Sequence, residues 1–145
     1  MQKITPFLWF DNNAEEAMKF YMSIFKDAQV LSVSPMTVSF RLNGQEFIGL
    51  NGGPEFKFTE AVSFFVNCET QAEVDELWSK LTADGGEESQ CGWLKDKFRL
   101  SWQIVPTLLG QLLGDPDREK ADRVMQAMLQ MKKLDCYVLQ QAYNG

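Results

Sequence analysis

The sequence predicts an α+β fold built from two βαβββ modules and a helical C-terminal tail. Three observations carry that expectation. The apolar stripe Ala17, Phe20, Tyr21, Ile24 recurs 57 residues later as Val74, Leu77, Trp78, Leu81, with the same 0, 3, 4, 7 helical spacing. A pattern repeated at a fixed offset marks a duplicated supersecondary unit. An apolar strand precedes each stripe, at residues 4–10 and 61–66, and a run of short strand-like segments broken by turn residues follows each. The modules span about 1–53 and 61–106 and the tail about 107–145, in one domain of 145 residues.

Residues 4–10 form a continuous apolar run, as a buried strand does. Asp11, Asn12 and Asn13 then supply a turn and an N-cap, with Glu15 and Glu16 suited to the positive end of the following helix. That helix is expected to reach about Lys26, with Phe20, Tyr21, Ile24 and Phe25 on its apolar side. Residues 30–34 and 37–42 alternate or are β-branched, and Asn43-Gly44 is a hairpin signal leading to a strand over 46–50. Asn51, Gly52, Gly53 and Pro54 end the first module.

The second module repeats the scheme. A strand over 61–67 leads through Glu69 and Thr70 to a helix ending near Ala83. Three strand segments are then expected over 87–91, 93–95 and 98–105, with Lys95, Asp96 and Lys97 as a solvated hairpin tip. In the tail, Leu108, Leu109, Leu112 and Leu113 form one apolar face. Asp115-Pro116 reads as an N-cap and first helical residue. Ala121, Val124, Met125, Met128 and Leu129 form the next stripe, and Asp135 caps a last helix.

Composition excludes several functions. The net charge is −6 at pH 7 and the 14 basic residues are scattered, which argues against nucleic acid and anionic membrane surfaces. No apolar run approaches the ~18 residues of a membrane span, and the N-terminal residues lack a secretory apolar stretch, so a cytoplasmic protein is expected. Histidine is absent, which rules out Ser–His and Cys–His nucleophiles and histidine-containing metal sites. The three cysteines Cys68, Cys91 and Cys136 show no CxxC spacing and read as free thiols. Cys91 stands in a turn where a thiol is able to face a pocket. The carboxylates form no paired acid; only Glu46 and Glu55 are placed to approach a cleft mouth.

Five segments carry a resemblance: residues 4–10, 50–54 (Leu-Asn-Gly-Gly-Pro), 89–98 (Ser-Gln-Cys-Gly-Trp-Leu-Lys-Asp-Lys-Phe), 101–106 (Ser-Trp-Gln-Ile-Val-Pro) and 123–128 (Arg-Val-Met-Gln-Ala-Met). They resemble the PhnB-like branch of the vicinal oxygen chelate superfamily, which includes glyoxalase I, extradiol dioxygenases and bleomycin-resistance proteins. That branch is also labelled 3-demethylubiquinone-9 3-methyltransferase-like. The resemblance implies a glyoxalase/bleomycin-resistance-type half-barrel cleft and a homodimer. Two departures stand out. The crossing at residues 33–36 is short where the family carries a longer segment, and Arg99 stands where the family tends to have glycine.

In the metal-dependent branches the ligands come from the first and last strands of each half. Here the resemblance puts those positions on Thr5 or Pro6, near Gly49, on Ser63 and on Gln103, none of them a carboxylate, thiolate or imidazole. It therefore implies the scaffold without its metal and with no cofactor. Alternation from these positions sets Thr5, Phe7, Trp9, Asn51, Ser63, Phe65, Ser101 and Gln103 on the concave face, with Trp93 or Trp102 near a rim and Cys91 close by. Such an apolar, aromatic surface with neutral hydrogen-bonding groups suits a small apolar or aromatic molecule. The expected function is metal-free small-molecule binding. The alternative is an enzyme of unassigned reaction on a small organic substrate. The methyltransferase label finds no glycine-rich cofactor loop, since Gly52-Gly53 and Gly85-Gly86 are turn doublets.

Overall fold

Strand β1 (Phe7–Phe10) begins three residues later than the apolar run suggests. Pro6 has no N–H to give a ladder, although its carbonyl still accepts from the Ile48 N–H at 3.0 Å. Ile4 is left 85% exposed. The computed structural model describes residues 2–145, in two units, residues 2–58 and Thr59–Gly145.

In the first unit, β1 is followed by helix α1 (Ala14–Ile24), β2 (Ala28–Val33), β3 (Thr37–Leu42) and β4 (Gln45–Asn51). The sheet order is β1-β4-β3-β2. β1 runs parallel to β4, whereas the two hairpin pairings are antiparallel. Leu8, Phe10, Val38, Phe40, Leu42 and Phe47 are buried on one face, as are Ala14, Ala17, Met18, Tyr21 and Ile24 of α1. Tyr21 and Phe40 stack with ring centroids 6.4 Å apart. Phe20 of the predicted stripe is only half-buried, and Met18 takes a core position instead.

The second unit repeats the order with β5 (Ser63–Cys68), α2 (Gln71–Thr82), β6 (Glu87–Glu88), β7 (Trp93–Lys95) and β8 (Ser101–Pro106). Its sheet order, β5-β8-β7-β6, has the same pattern of one parallel and two antiparallel pairings. The expected βαβββ scheme therefore holds in both units. Helix α2 starts with reciprocal caps: Thr70 Oγ1 accepts from the Glu73 N–H, and Glu73 Oε1 accepts from the Glu69 N–H. It buries Val74, Leu77, Trp78 and Leu81.

Two strands are shorter than expected. β6 stops at Glu88 because the chain turns: Cys91 (φ 58°) and Gly92 (φ 88°) are left-handed, and their N–H groups donate to the carbonyls of Met131 and Lys132 in the tail. β8 starts at Ser101, since Asp96 captures the preceding N–H groups.

The tail forms α3 (Thr107–Leu113), α4 (Arg118–Met128) and α5 (Cys136–Asn144). Its core joins Val105 of β8 to Leu109, Leu112, Val124, Leu134 and Leu139. Asp117, not Asp115, caps α4 by accepting from Glu119 and Lys120. Asp115 instead accepts from Asp117 N–H and the Tyr143 hydroxyl. Asp135 caps α5 as expected. Gln71 staples the tail to α2: its Nε2 donates to Leu134 O at 3.0 Å and its Oε1 accepts from Cys136 N–H at 2.7 Å. Lys133 adds an ion pair to Asp75 at 2.8 Å.

Candidate functional site

Each sheet carries its helix on one face, and the pleat sends alternate side chains to the other. In the first unit, register pairs Phe7 with Ile48 and Trp9 with Leu50. These four residues, with Thr37 and Ser39, form the face opposite α1. Phe7 is 56% exposed. Trp9 is fixed in place: its Nε1 donates to Gly53 O at 2.9 Å and its ring meets Phe56 edge-on at 4.8 Å. Gly52 lies directly against the indole, so that a Cβ there would sit 2.3 Å from Trp9 Cε2. The polar side of this face is internally matched. Ser32 and Ser39 hydroxyls are 2.7 Å apart, and Arg41 bonds both Gln29 and Glu46. Glu46 is thus engaged by Arg41. Thr5 precedes β1, where its Oγ1 accepts from Gln2 Nε2 at 3.3 Å.

Two expected face residues lie elsewhere. Gly49 belongs to the helix-facing set, and a Cβ there would meet Val38, Phe10 and Ala14 at 3.1–3.4 Å. Asn51 shares that parity and works as the cap of α1: its Oδ1 accepts from Ala14 N–H at 2.9 Å, and its Nδ2 donates to Pro35 O at 3.0 Å. Asn13, the N-cap residue within the expected Asp11-Asn12-Asn13 turn, makes no side-chain cap bond, and its Oδ1 is buried without a partner among the described residues. A helix N-terminus leaves its first N–H groups without intrahelical acceptors, and here a neighbouring strand supplies one for Ala14.

In the second unit, register sets Ser63, Phe65, Trp93, Lys95, Ser101 and Gln103 on the face opposite α2. Gln103 Nε2 donates to Ser63 Oγ at 3.0 Å. Phe65, beside Gln103 in the ladder, is 53% exposed. Ser101 is fully buried, and its hydroxyl has no hydrogen-bond partner among the described residues. Lys95, paired with Ser101 across the ladder, reaches Glu60 at 3.0 Å. The Lys95 hydrogen bond and its charge hold the Glu60 carboxyl below the usual range. Arg99 does the same to Glu87, 2.7 Å away.

Trp102 is not at a rim. It points to the helix side, where its ring meets Phe64 at 5.4 Å and its Nε1 donates to Asp96 Oδ2 at 2.9 Å. Asp96, read as a solvated tip, is 0% exposed and also accepts from the N–H groups of Phe98 and Leu100. Cys91 sits outside the strands, in the turn held by Met131. Sequence reasoning passed over Lys95 and Asp96 as members of a charged run. Period-2 alternation from Trp93 was the signal that puts Lys95 on the open face, and a buried indole N–H at Trp102 was the signal that demands an acceptor.

The family model described as 3-demethylubiquinone-9 3-methyltransferase matches residues 2–105, which contain every strand but the last residue of β8. The chain belongs to this family. The PhnB protein from Bacillus cereus is 37% identical over 72% of this chain and 99% of its own, with a TM-score of 0.67. Two more distant structures share the fold. A glyoxalase-related enzyme from Fulvimarina pelagi is 15% identical over 72% of this chain and 88% of its own, with a TM-score of 0.52. The fosfomycin resistance protein FosX from Listeria monocytogenes, complexed with Mn(II) and sulfate, is 18% identical over 70% and 88%, with a TM-score of 0.54. No curated protein matches the sequence. This PhnB-family chain thus has the glyoxalase/bleomycin-resistance fold.

The residues of this family member do not fit a divalent cation. Ser63 and Gln103 are neutral and bonded to each other, and Gly49 has no side chain and faces the helix. Among the described residues no three His, Cys, Asp or Glu side chains gather to hold a metal. Hard cations need several anionic or imidazole donors. Nor do the strand-to-helix turns at residues 11–13 and 69–70 contain a glycine that would admit the backbone to a nucleoside-type methyl donor. Among the described residues no helix is long and apolar enough to cross a membrane.

Proposed function

We propose that this PhnB-family protein binds a small, weakly polar organic molecule on the open face of its second sheet, without a divalent metal. The observation that carries this reading is the exposed Phe65 ring beside the Ser63–Gln103 hydrogen bond, on the face opposite α2. An exposed aromatic next to a few fixed neutral polar groups is the composition of a small-molecule site. Thr5, Phe7 and Trp9 are proposed as ligand-facing positions of the first unit taken by itself. Trp93 completes the aromatic surface of the second unit.

Thermal melting with a panel of small aromatic compounds tests this. Compounds that bind raise the melting temperature, equally with and without EDTA, and Phe65→Ala together with Gln103→Leu abolishes the rise. A panel that never shifts the melting temperature, or a shift that EDTA removes, would overturn the reading.

The same proposal places the protein in the cytoplasm as a homodimer. Supporting it are three free thiols and the exposed apolar residues Val30, Leu31 and Val33 on edge strand β2. Sedimentation at micromolar concentration checks the dimer, and a monomer there contradicts it.

A further inference from the structure

We infer that the ligand of this face is an organic acid, whose carboxylate takes the place now filled by Glu60 on Lys95. The inference rests on the binding reading above and refines its weakly polar ligand to an apolar or aromatic body carrying one carboxylate. Lys95 and Ser101 are ladder partners on one face. Lys95 stands across the ladder from Glu87, but Arg99 takes that carboxylate at 2.7 Å and the ion pair of Lys95 goes elsewhere. Its partner is Glu60, from the segment ahead of β5, whose side chain is 64% exposed. An ion pair made by so exposed a carboxylate contributes little to stability, so exchanging it for another carboxylate costs the fold little. Beside it the buried Ser101 hydroxyl has no partner among the described residues. A buried hydroxyl left unpaired costs about 1–3 kcal/mol, so a native fold retains one where something else completes it.

The donor inventory agrees with an acid. Lys95 offers an ammonium and Ser101 a hydroxyl proton. Ser63 accepts from Gln103 and keeps its own proton to give. Register sets all three in one row across the same face, and a carboxylate is acceptor-only with two oxygens. Charge-assisted bonds of this kind are roughly twice as strong as neutral ones. Phe65 then supplies the platform for an apolar or aromatic body. Glu60 is thus an internal competitor that occupies the cation until ligand arrives.

Titration calorimetry with phenylacetate, 3-phenylpropionate and 2-naphthoate, each against its primary amide, tests the inference. The acids are expected to bind about tenfold tighter than the amides. Lys95→Met should remove that preference. Glu60→Gln, a change at an exposed side chain, should tighten the acids about tenfold and leave the amides unchanged. Amides that bind as well as acids, with neither substitution altering the ratio, overturn the acid assignment and leave small-molecule binding intact. Failure of both acids and amides to bind in every variant overturns the binding reading itself.

Discussion

The Asp96 carboxylate accepts the N–H groups of Phe98 and Leu100 on one oxygen and the Trp102 indole on the other, all within 2.8–3.1 Å. It sets where β8 begins and orients the largest side chain of that strand. Asp96→Ala strands these donors inside the protein at about 1–3 kcal/mol for each buried group. A loss of roughly 3–5 kcal/mol in urea unfolding is expected, and a loss below 1 kcal/mol contradicts this role. The Lys95–Lys97 run looked solvated because composition reports polarity and not burial; only the need of Trp102 for an acceptor separates Asp96 from its neighbours. Gly49 and Asn51 were set on the wrong face for a different reason. A one-residue change of register moves a side chain across the sheet, and the register of β4 is fixed by its pairing with β1 and β3, which the sequence does not display. Phe7, Phe65 and Gln103 were readable, since their alternation begins inside well-marked strands.

Among elements, the tail is part of the core of its unit. Leu134 is fully buried, and its Cδ1 would lie 2.9 Å from a Cβ added at Gly92. Gly92 has a φ of 88°, a left-handed conformation that glycine adopts without strain. Leu134→Ala is expected to cost about 2–5 kcal/mol. Gln71→Ala, which frees both Leu134 O and Cys136 N–H, should cost about 1–3 kcal/mol. Both are read by chemical denaturation, and two near-neutral variants would show the tail to be a loose appendage. The helices and their stripes were legible because a 3.6-residue period survives in any context. The Gln71 staple was not, as it joins residues 63 and 65 apart that no periodicity links.

For the whole molecule, charge state bounds the pH range of stability. Hydrogen bonds and cations hold the Glu60, Asp75, Glu87 and Asp115 carboxyls below their ordinary values of 4.5, 3.8, 4.5 and 3.8. A depressed folded value gives stability that is present above the unfolded one and lost as pH falls through the folded one. The effect is small, because these groups are exposed and screened. On the alkaline side burial pushes Cys68 from 9.0 up to about 12, and the bond to Asp115 raises Tyr143 above 10.0. Raised values have the opposite sign: their stability is complete below the unfolded value and declines as pH climbs toward the folded one. Melting temperature should therefore plateau between roughly pH 5 and pH 9 and fall on both sides. Cys68→Ala should flatten the alkaline fall, and an unchanged alkaline limb contradicts the Cys68 assignment.

The central claim is that the open face of the second sheet receives a small organic molecule. Nitrogen–proton correlation spectra during a titration with 3-phenylpropionate address it most directly, since every backbone and tryptophan N–H reports separately. The account predicts saturable shifts at Ser63, Phe65, Trp93, Ser101 and Gln103, with the Trp102 indole unmoved behind the sheet. Shifts confined to the α2 side, or none at millimolar ligand, would contradict it.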